Sequence, residues 1–241
     1  MRTDILGVGF DDLTMDETIA EAKRLLDKGE TSYCVTPNPE IVYEARQDEQ
    51  FRALLNGASL VLPDGVGILL GAKILRTPLK EKVSGVDFAE RLAALLEKED
   101  RSLYLLGGKP GVAELAADKL RERYPNLNIC GTNDGYFQDE ASLVEQIRAA
   151  SPAVLYVCLG SPKQEHFMRD HLNDLSGCLM VGLGGTLDAF AGTVKRAPGW
   201  MQKMGLEWFY RLLKEPRRLK RQLRLPKFVF AVLRERKRMR R

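Results

Sequence analysis

Three stretches of the chain share one grammar, and it constrains the fold more than any other feature. "SLYLLGGKPG", "AVLYVCLGSPKQE" and "CLMVGLGGTLD" each pass from an apolar run through a glycine turn into the start of a helical pattern. "SYCVTP" (32–37) and "ASLVLPDG" (58–65) read as two further strands, each leading into a helix. Strands that alternate with helices pair in parallel through right-handed crossovers. Runs such as "AVLYVCLG" are apolar without alternation, as strands covered on both faces should be. The expected fold class is therefore α/β, a mostly parallel sheet flanked by helices.

The helices carry their own signals. "NPEIVYEARQDEQFRALLNG" predicts one helix, with Asn38 at the N-cap and Pro39 at the first helical position. "SGVDFAERLAALLEKED" opens on Ser84 and Asp87, a capping-box-like pair. "PGWMQKMGLEWFYRLLKEP" predicts a helix ending near Pro216, and Pro226 should break or kink the basic stretch that follows. Leu212, Leu219, Leu223, Phe230 and Leu233 recur at three-, four- and seven-residue spacings, which predicts an apolar side to this tail.

Charge divides the chain in two. Residues 195–241 hold 17 Lys or Arg and 3 Asp or Glu, a net of +14. Residues 1–194 hold 20 basic and 30 acidic residues, a net of −10, so the modest total of +4 conceals an acidic body and a basic tail. The expected organisation is an α/β domain over 1–194 and a basic amphipathic appendage over 195–241. Such asymmetry points to nucleic acid, a membrane surface or an anionic substrate. The four cysteines form no CxxC pair, which fits reduced thiols in a cytosolic protein. The first residues do not read as a signal peptide, and no run approaches the roughly 18–20 apolar residues of a spanning helix.

In an open parallel sheet, ligands bind beyond the carboxyl ends of the strands. That rule selects the turns "TPNP", "LPDGVG", "GGKPG", "GSPKQE" and "GGTLD". Several start helices, whose free N–H groups attract phosphate, so the expected ligand is anionic. The dinucleotide, P-loop and nucleophile-elbow fingerprints are missing. The only histidines, His166 and His171, lack metal-site spacing, and no D-x-D clamp occurs. Neither a metal nor a cofactor is expected. A diphosphate would be met by Arg, Lys and backbone amides.

Asp64 sits between Pro63 and Gly65 at a strand end, where an ionised carboxylate can accept a proton, although spacing alone favours a turn or N-cap role. Thr36 and Asn38 share the neighbouring rim, and Asn38 serves as a cap, a ligand or both. Lys163 and Gln164 begin a helix after a glycine turn, and Glu165 there favours the helix dipole whatever its role. Trp200 and Trp208 read as packing residues.

"TPNPEIVYEA", "LPDGVGI", "GSPKQE" and "KRAPGWMQKMGLEWFYRLLKEPRRLKR" together resemble the WecG/TagA/CpsF family of bacterial glycosyltransferases across essentially the whole chain. The resemblance implies a Rossmann-like α/β domain with a C-terminal appendage. It implies inverting, metal-independent transfer of an N-acetylmannosamine-type sugar from a UDP donor. The acceptor would be N-acetylglucosamine on a polyprenyl diphosphate, in cell-surface polysaccharide synthesis such as that of wall teichoic acid. By the same resemblance Asp64 is the catalytic base and Thr36 and Asn38 are its catalytic neighbours. Gln164 and the appendage residues Arg211, Arg218 and Arg221 would bind substrate. One position departs: an Arg is expected before "VSG", and this chain has Lys82, which keeps the charge but loses bidentate recognition.

The tail is then expected to dock on anionic lipid, with the protein cytoplasmic and peripheral on the inner face of the cell membrane. The apolar stripe also suits a homo-oligomer contact. No nucleic-acid partner is expected, although a nucleic-acid-binding protein, another nucleotide-dependent α/β enzyme and a membrane scaffold are the rival readings.

Overall fold

The computed structural model describes residues 2–214 and 223–239. A hairpin of β1 (Arg2–Ile5) and β2 (Val8–Asp11) precedes helix α1 (Met15–Lys28). Then follow β3 (Ser32–Val35), α2 (Pro39–Ala45), α3 (Glu49–Gly57), β4 (Leu60–Val61), α4 (Val66–Leu75) and α5 (Gly85–Lys98). The next units are β5 (Leu103–Gly107), α6 (Val112–Arg123), β6 (Ile129–Asn133), α7 (Glu140–Ala150), β7 (Val154–Cys158) and α8 (Lys163–Asp170). The chain continues through β8 (Leu179–Gly182), α9 (Thr186–Phe190), α10 (Gly199–Lys203), α11 (Glu207–Lys214) and α12 (Arg224–Arg238).

Strands β3 to β8 form one six-stranded sheet in the order β4-β3-β8-β7-β5-β6, and every pairing is parallel. The two-residue side-chain period splits each strand between two cores. Tyr33, Val35, Leu155 and Val157 face helices α2, α3, α4, α7, α8 and α12. Cys34, Val154, Tyr156 and Val181 face α1, α5, α6 and α9. This double coverage is why the central strands β5, β7 and β8 read as continuous buried runs rather than alternating ones. Fully burying such side chains is worth about 1.5–3 kcal/mol each. Tyr156 brings a hydroxyl into this interior, where it donates to Ala89 O at 2.7 Å. The edge strand β4 is protected by the hairpin, since the Val61 N–H donates to Asp11 Oδ2 at 2.8 Å.

Local chemistry explains where the sequence-based expectations needed correction. The single helix expected over residues 38–57 is two, because Asp48 accepts a hydrogen bond from Phe51 N and caps a fresh start. Ser84 makes no side-chain cap bond at the head of α5, so the capping-box expectation fails there. A true capping box occurs at Thr14 and Glu17, heading α1. The tail helix expected up to Pro216 is interrupted between α10 and α11 at Gly205, whose φ of 72° suits glycine. Any β-carbon there would also meet Val66 at 2.9 Å. Pro226 does not break its segment. It lies in the first turn of α12, where a missing N–H costs no intrahelical bond.

Helix α12 returns across the body and packs on α2 and α4 through Phe228, Ala231 and Val232. Its buried stripe is therefore offset from the expected one, and Phe230 and Leu233 are 72% and 49% exposed. Leu219 lies outside the described residues.

Candidate active site

A cleft of about 330 Å³ opens at the carboxyl ends of β3, β4 and β8. Asn38, Pro39 and Glu40 line it from the turn after β3, and Asp64 to Gly67 from the turn after β4. Leu183, Gly185 and Thr186 line it after β8, with Lys82, Ser84 and Gly85 beside them. The remaining wall is the tail: Gly205, Glu207 and Trp208, then Leu225, Phe228 and Val229 of α12.

The rim is set by short, specific bonds. The Thr36 hydroxyl donates to Gly182 O at 2.9 Å, tying the end of β3 to the end of β8. Asn38 Oδ1 accepts from Glu40 N at 3.0 Å and Ile41 N at 3.1 Å, so it caps α2 while lining the cleft. The Asp64 N–H donates to Pro37 O at 3.4 Å, joining two rim turns. The N-cap of α4 is Gly65, with no side-chain cap bond, so the capping reading of Asp64 fails. Its half-buried side chain is instead part of the cleft lining. The turns touch closely: a β-carbon on Gly67 would lie 2.6 Å from Pro39 Cγ, which restricts that position to glycine.

Gln164 does not line the cleft. It is 2% exposed, and its Oε1 accepts from Gly184 N at 2.9 Å while its Nε2 donates to Glu165 Oε1 at 2.9 Å. It therefore shapes the turn after β8 from behind. Burial pushes the Glu165 carboxyl above its ordinary value, and the bond from Gln164 opposes that rise. Thr186 is likewise buried, and its hydroxyl donates to Leu183 O at 2.7 Å.

Lys82 faces the tail, with Nζ 3.3 Å from Glu207 Oε2. Glu207 Oε1 lies 3.6 Å from Arg196 Nη2, and Arg196 Nη1 lies 2.7 Å from Asp87 Oδ1. Asp87, expected to cap α5, thus serves the tail instead. At the other end of the wall, Arg224 Nη1 meets Glu44 Oε2 of α2 at 2.5 Å. Arg211 belongs to α11, whereas Arg218 and Arg221 lie outside the described residues.

Several lining residues were not singled out from sequence. Glu40 directly follows the "TPNP" turn and stood in plain view. Glu207, Phe228 and Val229 gave no signal, because contacts between residues far apart in the chain, at α11 with Lys82 and at α12 with α4, bring the tail to the rim. Trp200, expected to pack, is 61% exposed, whereas Trp208 is 40% exposed, meets the Phe209 ring edge-on and lines the cleft. Among the described residues, no three His, Cys, Asp or Glu side chains are grouped to hold a metal ion, and no helix is long and apolar enough to cross a membrane.

The family model described as "Glycosyl transferase WecG/TagA/CpsF family" matches residues 3–241. The N-acetylglucosaminyldiphosphoundecaprenol N-acetyl-beta-D-mannosaminyltransferase of Bacillus subtilis (strain 168) is 36% identical over 215 residues, covering 89% of this chain and 84% of the relative. The protein of the same name from Staphylococcus aureus (strain MW2) is 32% identical over 234 residues, covering 96% and 92%.

Proposed function

The chain belongs to the WecG/TagA/CpsF family of glycosyltransferases, and from that premise we propose that it moves N-acetylmannosamine from a UDP donor to N-acetylglucosaminyl-diphospho-polyprenol, with inversion and without a metal. The product would feed a cell-surface polymer of the wall teichoic acid type. The observation that carries this reading is the shared cleft. The Asp64 carboxylate and the Lys82 ammonium line the same strand-end cavity as Asn38, together with the carboxylates of Glu40 and Glu207.

The chemistry follows from that pairing. The acceptor hydroxyl attacks the anomeric carbon from the face opposite UDP. Asp64 takes the hydroxyl proton as the new bond forms, and the bond to the diphosphate breaks with its electron pair leaving on UDP. Lys82 and the appendage arginines, Arg211, Arg218 and Arg221, meet the charge that grows on the leaving oxygen. Charges fixed in advance toward developing charge are usually the largest catalytic contribution. Thr36, Asn38 and Gln164 keep the rim in register for this step.

The appendage also suits an anionic membrane surface on the cytoplasmic side. Leu213, Leu223, Phe230 and Leu233 are 62%, 57%, 72% and 49% exposed. Lys227, Arg234, Lys237 and Arg238 stand among them, each worth about 1 kcal/mol near anionic lipid. The acceptor, being lipid-linked, would then arrive beside the cleft. A screen of several UDP-sugars against a synthetic prenyl-diphosphate acceptor tests the reading. UDP release with UDP-N-acetylmannosamine is expected; release with another sugar alone, or with none, would overturn the donor assignment.

A further inference from the structure

Glu207 stands between two cations contributed by separate loops: Lys82 before α5 and Arg196 before α10. Its carboxylate oxygens lie 3.3 Å from Lys82 Nζ and 3.6 Å from Arg196 Nη2. Both distances exceed the roughly 2.7–2.9 Å of a well-formed charge-assisted bond, so the carboxylate is loosely held. Arg196 is also incompletely used. Its Nη1 is well placed on Asp87 at 2.7 Å, yet Nε and Nη2 are buried and have no hydrogen-bond acceptor among the described residues. Burial alone would lower the Arg196 pKa, but the Asp87 hydrogen bond and the charges of Asp87 and Glu207 outweigh it, so the guanidinium stays charged. Donors left buried in this way are uncommon, and their usual explanation is a missing partner.

The missing partner has a definable chemistry. It carries several anionic oxygens, it fits between an ammonium and a guanidinium, and it comes from the cleft that Lys82 and Glu207 line, meeting Arg196 behind Glu207 once that carboxylate moves aside. A diphosphate meets all three conditions. We propose that Arg196 and Lys82 form a diphosphate-binding pair, and that Glu207 occupies this pair as an internal anion until substrate displaces it. This rests on the transferase reading above and adds Arg196 and Glu207 to it. Glu207 is the first residue of α11, one position before Trp208, and the glycine break at Gly205 lies just upstream. Release of Glu207 therefore frees the start of α11 and the indole beside it, so diphosphate arrival and rearrangement of the tail wall are one event.

Calorimetric titration of the full chain with UDP, uridine and inorganic pyrophosphate tests the proposal. Glu207→Gln should bind UDP and pyrophosphate about tenfold more tightly, the size expected when a partly buried competing ion pair is removed, and uridine no differently. Adding Arg196→Gln should erase most of that gain, and Arg196→Lys should keep part of it. Because Arg196→Gln strands Asp87, melting temperatures are measured alongside, and Arg196→Lys carries the comparison if the Gln variant does not fold. Pyrophosphate affinity in Glu207→Gln within twofold of wild type would overturn the proposal, as would a gain undiminished by either Arg196 change. If pyrophosphate behaves as expected but no UDP-sugar is turned over, the anion pair stands and the donor assignment falls. If UDP-sugar is turned over but Glu207→Gln gains nothing, the donor assignment stands and the anion pair falls.

Discussion

The two walls of the cleft are held by different forces. On the sheet side, Thr36, Asn38 and the Gly184 turn are fixed by hydrogen bonds of 2.9–3.1 Å between segments anchored in buried strands. On the tail side, α11 and α12 are held by the Phe228 and Val232 contacts and by ion pairs from Lys82, Arg196 and Arg224. The sheet wall is over-determined, as a group that must meet a reacting atom requires. The tail wall is assembled from separable contacts, and it exposes Trp208, Phe209 and Leu213. Under the proposed mechanism, precise proton transfer would fall to the first wall, and admission of a charged, lipid-linked substrate to the second.

Four changes break or sharpen this contrast, in falling order of effect. Asp64→Asn should lower transfer by about 10²–10⁴-fold, the range of a lost general base, while UDP affinity by titration stays near wild type. A variant that keeps the wild-type rate would remove Asp64 from the chemistry. Phe228→Ala empties a fully buried site on the tail wall and should cost about 3–5 kcal/mol. Hydrogen exchange should show that loss in α12 while β3, β7 and β8 stay protected; equal loss everywhere would mean the walls are one cooperative unit. Gln164→Leu removes both bonds behind the Gly184 turn and should cost about 1–3 kcal/mol, with reduced turnover and an undisturbed tail.

The smallest change lies outside both walls. His171 sits between Asp174 Oδ2 at 2.7 Å and Glu140 Oε1 at 3.1 Å. Burial alone would lower its pKa, but the hydrogen bonds and charges of those two carboxylates raise it above 6.5. A pKa raised on folding gives stability that is full below the unfolded value and lost as pH rises through the folded one. Wild type should therefore lose a little stability as pH rises above about 6.5, and His171→Gln should lose that slope in urea titrations. Activity at the cleft should not change.

The sheet wall was largely legible from sequence because its signals are local. An apolar run followed by Gly-Ser-Pro or Pro-Asp-Gly marks a strand end, and strand ends in a parallel sheet define the site. Asn38 and Asp64 follow from that rule. Gln164 follows from it only in part, since the turn places it near the rim while its burial behind Gly184 depends on how α8 packs. The tail wall was less legible, because its partners lie far apart in the chain. Nothing around Phe228 indicates that it packs beside Gly71, or that Glu207 faces Lys82 across 125 positions. The apolar stripe of α12 was visible, but which residues turn inward depends on α2 and α4. Helix breaks at Asp48 and Gly205 were missed for a simpler reason: a cap or a glycine inside a periodic pattern reads as tolerated until its backbone angles are known.

In the proposed scheme both walls converge on one diphosphate. The structure of the UDP complex measures this most directly. The diphosphate should lie in the cleft beside Asp64, within ion-pair distance of Lys82 and Arg196, with Glu207 withdrawn from both. A diphosphate bound away from this cleft, or bound within it while Glu207 keeps its present contacts, would contradict it.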